Sequence, residues 1–144
     1  MEIERELLAL VDEDTEAFNR IMAAFGLPKA SEEDRKLRSK AIQEATLFAA
    51  QVPLRTMKTA GMIFPLCREM VEKGNPNSVS DAGVGALAAR AAILGAGLNV
   101  KINASSLKDK EQAAALINEA EQLMAMAVSE EAAILEMVEK VIAK

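Results

Sequence analysis

The stretch from Ala82 to Leu98 limits what this chain can become more than any other. It is 17 residues long, built mostly of Gly and Ala, and carries Arg90 at its centre. A bilayer span needs roughly 20 apolar residues, so a buried helix is expected and a membrane span is not. Glycine in a helix interior costs about 1 kcal/mol relative to Ala. Gly83, Gly85, Gly95 and Gly97 therefore imply neighbours that approach closely on several sides, which makes this the central helix of a bundle. Aromatic residues are only 3% of the chain, with neither Trp nor Tyr. The core must be built from Ala, Leu, Ile, Val and Met, as suits closely packed helices.

Helical spacing runs nearly end to end. Ile3, Leu7, Leu10, Val11, Phe18, Ile21, Met22 and Phe25 form one stripe, with Asp14 on the same stripe where a Leu would be expected. Gly26 and Pro28 end that helix. Ser31 caps the next, with Glu32, Glu33 and Asp34 in its first turn. Leu37, Ala41, Ala45, Phe48 and Val52 then point to the core. Pro53 is expected to kink or break this helix, and Pro65 to kink the following one. Gly74-Asn75-Pro76-Asn77-Ser78 is the densest turn signal, and Ser80 or Asp81 is the expected N-cap after it. Asn99 to Asn103 reads as the final turn and exit of the central helix. The last helix is predicted from about Lys110 to Ile142, some 50 Å long by helical rise, its far end packing on a second subunit.

Composition removes several chemistries. With no His and one Cys, there is no imidazole-activated nucleophile, no intramolecular disulfide, and no metal site is expected. A net charge of −5 and the lack of stacking rings argue against a nucleic-acid partner. The acidic opening Met1-Glu2-Ile3-Glu4 has no apolar targeting core, and a cytoplasmic setting is expected.

Three features could carry chemistry. At the Gly74–Gly85 junction, polar side chains gather where helix N–H groups face outward, suited to a polar or anionic ligand or simply to capping. Asp14 on an apolar stripe would be a carboxylate raised in pKa by burial, able to move protons, or a boundary residue with a partner. Lys101 and Asn103 end the central helix, either complementing its dipole or receiving a carboxylate ligand. Cys67 reads as a small buried hydrophobe.

Together these strings resemble one family. Asp12-Glu13-Asp14-Thr15-Glu16-Ala17-Phe18-Asn19, Leu27-Pro28-Lys29, Val52-Pro53-Leu54, Gly74-Asn75-Pro76-Asn77-Ser78-Val79-Ser80-Asp81-Ala82-Gly83-Val84-Gly85 and Leu98-Asn99-Val100-Lys101-Ile102-Asn103 occur in that order. They resemble the formiminotetrahydrofolate cyclodeaminase and methenyltetrahydrofolate cyclohydrolase family.

The resemblance implies an all-α, dimeric helical bundle over residues 1–144 as a single domain, binding a tetrahydrofolate derivative as its substrate. It implies closure of 5-formiminotetrahydrofolate to the 5,10-methenyl form with release of ammonia, or interconversion of the methenyl and 10-formyl forms, by carboxylate and amide acid–base catalysis. Asp81 and Asp14 are then the catalytic candidates, with Asn77, Ser80, Lys101 and Asn103 for binding substrate. The family's upstream Pro-Gly-Gly-Gly-Ser loop, expected to line the folate site, is not found in these residues, so the domain is N-terminally short relative to the family. A missing N-terminal segment or a formiminotransferase is thus an expected partner beside the homodimer. The alternative is a non-catalytic helical dimerisation or interaction module that keeps the fold.

Overall fold

A computed structural model of the chain describes residues 2–143. Five helices follow one another: α1 (Glu2–Gly26), α2 (Glu32–Gly61), α3 (Ile63–Lys73), α4 (Val79–Ser105) and α5 (Lys110–Ile142), with a short 3₁₀ turn at Pro76–Ser78 before α4. Among the described residues there is no strand, as expected of an all-α fold.

Local chemistry explains most boundaries. Ser31 and Asp34 form a reciprocal capping box at the start of α2, each side chain accepting from the other's backbone N–H at 3.0 Å. Asp109 caps α5 by accepting from the Gln112 N–H. Two expectations fail. The N-cap of α4 is Ser78, placing Ser80 and Asp81 inside its first turn, because the 3₁₀ turn brings the chain into helical geometry two residues earlier. Pro53 does not break α2. Lacking an N–H, it cannot bond to the Ala49 carbonyl one turn back, but the Asn103 side-chain amide donates to that oxygen at 3.2 Å. The break comes instead between Gly61 and Ile63, leaving Pro65 in the first turn of α3, where a missing donor costs nothing.

The central helix is α4. α2 and α5 pack along it, α3 covers its first turns, and α1 lies on α2. The main core gathers Met57, Phe64, Ile93, Val100 and Ile134, all nearly inaccessible. Three glycines of α4 are sites of close approach. A β-carbon at Gly83 would lie 3.4 Å from Leu135 and 3.5 Å from Val138, one at Gly85 3.1 Å from Cys67 Sγ, and one at Gly97 2.7 Å from Met124 Sδ. Leu135 and Val138 meet the start of α4, so one face of the far end of α5 is packed within the chain.

Ion pairs tie the layers: Lys58–Glu119, Arg68–Glu130 and Lys101–Glu121 reach α5 at 2.6, 2.9 and 2.9 Å. Arg55 of α2 holds both Glu6 (2.9 Å) and Glu13 (2.5 Å) of α1. The two acceptors push its guanidinium pKa further up. The buried stripe of α1 is Leu10, Ala17 and Ala24, flanked by Leu7 and Ile21, and not the larger residues expected: Val11, Phe18, Met22 and Phe25 are all more than half exposed. Small Ala residues let α1 sit close on α2, which turns its bulkier edge outward. Leu37, expected in the core, is likewise exposed, because the first turns of α2 run past the end of α4.

Candidate functional site

Between α1, α3 and the first turns of α4 lies a cleft of about 530 Å³. Ile3, Leu7, Leu8 and Val11 form one wall, Ile63, Leu66, Cys67 and Met70 the other, and Ala82 and Gly85 the base. The two charged residues lining it are Glu4 and Asp81, both exposed, at the rim of an otherwise apolar slot. Its size and character suit a drug-sized ligand with flat apolar rings and a few polar edges. The helices produce this arrangement directly. Gly85 has no side chain, so Cys67 can approach and the slot keeps its depth. Asp81 sits four residues earlier on the same face of α4. Burial raises the Cys67 thiol above its ordinary value, so it lines the slot as a neutral group and not as a thiolate.

A second cleft of about 350 Å³ continues along the same edge of α1. Leu7 and Val11 belong to both. Its other lining residues include Asp14, Thr15, Pro53, Thr56, Ala96 and Asn99. The two clefts form one groove between α1 and α4, with Asp81 at one end and Asn99 at the other.

The sequence candidates divide accordingly. Asp81 lines the first cleft. Asn77 and Ser80 are exposed beside it, with Asn77 held in a turn by its N–H donating to Asn75 Oδ1 at 3.0 Å. Asp14 is exposed and not buried among apolar side chains as its place on the stripe suggested, because that edge of α1 faces outward. Asp14 lines the second cleft beside Ala96. Asp81 and Ala96 are separated by about 22 Å of helical rise, so Asp14 and Asp81 do not act on one atom. Lys101 points to α5, where its ammonium meets Glu121, away from the groove. Asn103 gives its amide N–H groups to the backbone carbonyls of Ala49 and Asn99, a structural duty. Glu4 was missed by the sequence reading. The one sign of it is its place on the Glu4–Leu8–Val11 edge of α1, at helical spacing. Among the described residues no group of three or more His, Cys, Asp or Glu side chains gathers to hold a metal ion.

Comparison with known proteins bears on this geometry. The family model described as formiminotransferase-cyclodeaminase matches residues 1–122. A methenyltetrahydrofolate cyclohydrolase from Methylorubrum extorquens is 40% identical over 125 residues, covering 87% of this chain and 60% of that protein. A formimidoyltransferase-cyclodeaminase from Rattus norvegicus is 36% identical over 104 residues, 72% of this chain and 19% of that one. The crystal structure of formiminotetrahydrofolate cyclodeaminase from Thermotoga maritima superimposes with a TM-score of 0.82 at 26% identity, over 98% of this chain and 66% of that chain. The chain thus spans about three fifths of the bacterial cyclohydrolase and a fifth of the rat protein.

Proposed function

The chain belongs to the formiminotransferase-cyclodeaminase family, and on that premise we propose that it carries an acid–base site acting on the one-carbon unit of a tetrahydrofolate. The observation that carries the reading is Asp81 at the rim of an apolar 530 Å³ slot, within the Gly74–Gly85 segment that carries the resemblance. The slot takes the flat ring system, and the carboxylate stands where a proton must move.

Two reactions fit. In the cyclohydrolase direction, water adds to the methenyl carbon bridging N5 and N10. A carboxylate removes one proton of that water to leave a neutral hydroxyl adduct. The hydroxyl proton then passes to N5 as the N5–carbon bond breaks, leaving N5–H and a formyl group on N10. In the deaminase direction, N10 attacks the formimino carbon and a proton passes to the departing amine, which leaves as ammonia. Both need one positioned carboxylate that gives and takes a proton, worth roughly 10²–10⁴ in rate. Asp81 is that group. Asn77 and Ser80 orient the substrate's polar edge, and Glu4 is the second carboxylate of the slot in place of Asp14. Asp14 and Asn99 serve the far end of an extended substrate. The protein works as a cytoplasmic homodimer, and a formiminotransferase is a natural neighbour, since the rat relative's name joins the two activities.

The test is turnover of both substrates by the purified chain, following loss of 5,10-methenyltetrahydrofolate and release of ammonia from 5-formiminotetrahydrofolate. Turnover of either supports the reading. A folded chain that turns over and binds neither contradicts it.

A further inference from the structure

A helix that is apolar on every side is normally enclosed on every side, and α4 is not. With the turn before it, α4 is long and apolar enough to cross a membrane by length and composition, yet only 33% of its most apolar window is buried. The open side is continuous. Val84, Leu87, Leu98 and Ile102 are 62%, 43%, 65% and 68% exposed, and Ala88, Ala91, Ala92 and Gly95 lie exposed between them. At 3.6 residues per turn these share one face, bulky at both ends and nearly bare backbone in the middle. The stripe runs about 27 Å, the length of a five-turn helix.

Gly95 sharpens the point. Gly83, Gly85 and Gly97 each have a neighbour within 3.4 Å of where a β-carbon would stand, whereas Gly95 has nothing within 4 Å. A glycine inside a helix weakens it, and within this chain no contact at Gly95 accounts for one. Close approach by a further helix axis would, since bare backbone permits interaxial distances near 8 Å.

What fills the space is indicated by the extent of the match. The solved relative shares this fold over 98% of the present chain, and a third of its own chain lies outside the match. That portion is about half as long as the present chain, ample for a helix of five turns. We propose that the stripe Val84–Ile102 is the docking face for an apolar, small-residue-faced helix belonging to the part of the family chain that these 144 residues do not span. A helix seated on this stripe lies over α4, beside the residues Asp81, Gly85, Ala96 and Asn99 that line the groove, and walls the groove's open side. Docking stands independently of the folate reading, because it rests on burial and packing alone.

The experiment mixes the 144-residue chain with the stretch of the M. extorquens cyclohydrolase outside its 125 matched residues, produced as a separate polypeptide. Sedimentation and hydrogen exchange are read together, without any activity measurement. The expected result is a one-to-one complex in which the amides of residues 84–102 gain protection. Ala91→Glu should weaken it at least ~10-fold, the loss expected at a buried contact centre. Ala91 is exposed, so this variant's melting temperature should match that of the parent chain, and Leu98→Lys serves as a second probe. Three results overturn the proposal: no complex at ~100 µM, where even weak specific pairs associate; a complex indifferent to both substitutions; or a chain already protected at 84–102 alone, by self-association or on added phosphatidylcholine vesicles.

Discussion

Asn103 and Pro53 are partners across 50 positions of chain: the side-chain amide of one supplies the hydrogen bond that the other cannot. Pro53 has no N–H for the Ala49 carbonyl, and Asn103 Nδ2 donates to that oxygen at 3.2 Å. The same amide also bonds to Asn99 O at 3.0 Å, so one side chain stitches the middle of α2 to the last turns of α4. Asn103→Ala should cost about 1–2 kcal/mol, the usual penalty for a polar group left unsatisfied. In a Pro53→Ala background the proline's own loss is repaired and the Asn103→Ala penalty should shrink. A double-mutant cycle by urea denaturation reads the coupling, and additive effects would mean that the bond does not matter.

The glycines of α4 should respond oppositely. Gly97→Val sets carbon where Met124 Sδ and Met57 Cε already stand, at 2.7 and 3.2 Å from the β-position, and should destabilise by about 2 kcal/mol or more. Gly95→Ala meets open space and should stabilise the isolated chain by up to about 1 kcal/mol through helix propensity. Thermal melts of the two variants check both signs.

Asp34 gives the fold an acid-sensitive cap. The Ser31 backbone N–H, and then its hydroxyl, hold the Asp34 carboxyl below its ordinary value. A folded-state value below the unfolded one contributes stability above the ordinary carboxylate range, and that contribution is lost as pH falls through the depressed value. Asp34→Asn should therefore flatten the low-pH fall in melting temperature while changing little near neutrality. A parallel fall in both proteins would contradict this.

Cys67 should be slow to react. It is buried beneath the slot, and burial raises its thiol, so the neutral form is favoured in the folded state. Stability from this source is complete below the ordinary thiol value and is lost as pH rises through the raised one. Alkylation of the native chain at pH 8 should be slow and should accelerate sharply in urea. A ligand seated in the slot should slow it further.

The parts legible in the sequence are those whose cause is local. The capping residue Ser31 and the full extent of α5 follow from neighbouring side chains and from apolar spacing. The continuity of α2 was not legible, because the group that rescues Pro53 lies on another helix. The buried edge of α1 was misread because Ala17 and Ala24 give a weaker apolar signal than Phe18 and Met22, although only the small residues let two helices touch. For the site, the Asn77–Asp81 motif stood out by its residue types. That Glu4 lines the same cleft as Asp81 did not, since the cleft exists only once α1 is laid beside α4. Asp14 lines the far cleft of the groove, about four turns of α4 from Asp81, and Lys101 is paired with Glu121 of α5; neither placement follows from local sequence.

Asp81 is the centre of the account, and Asp81→Asn tests it most directly. Asn is nearly isosteric and Asp81 lies exposed in the first turn of α4, so the fold should be little changed, which a melt checks. Turnover of 5,10-methenyltetrahydrofolate and of 5-formiminotetrahydrofolate is measured for the parent chain, Asp81→Asn and Asp14→Asn. The account predicts a loss of about 10²-fold or more in kcat for Asp81→Asn and little change in kcat for Asp14→Asn. Full turnover by Asp81→Asn, or an equal loss in both variants, would contradict it.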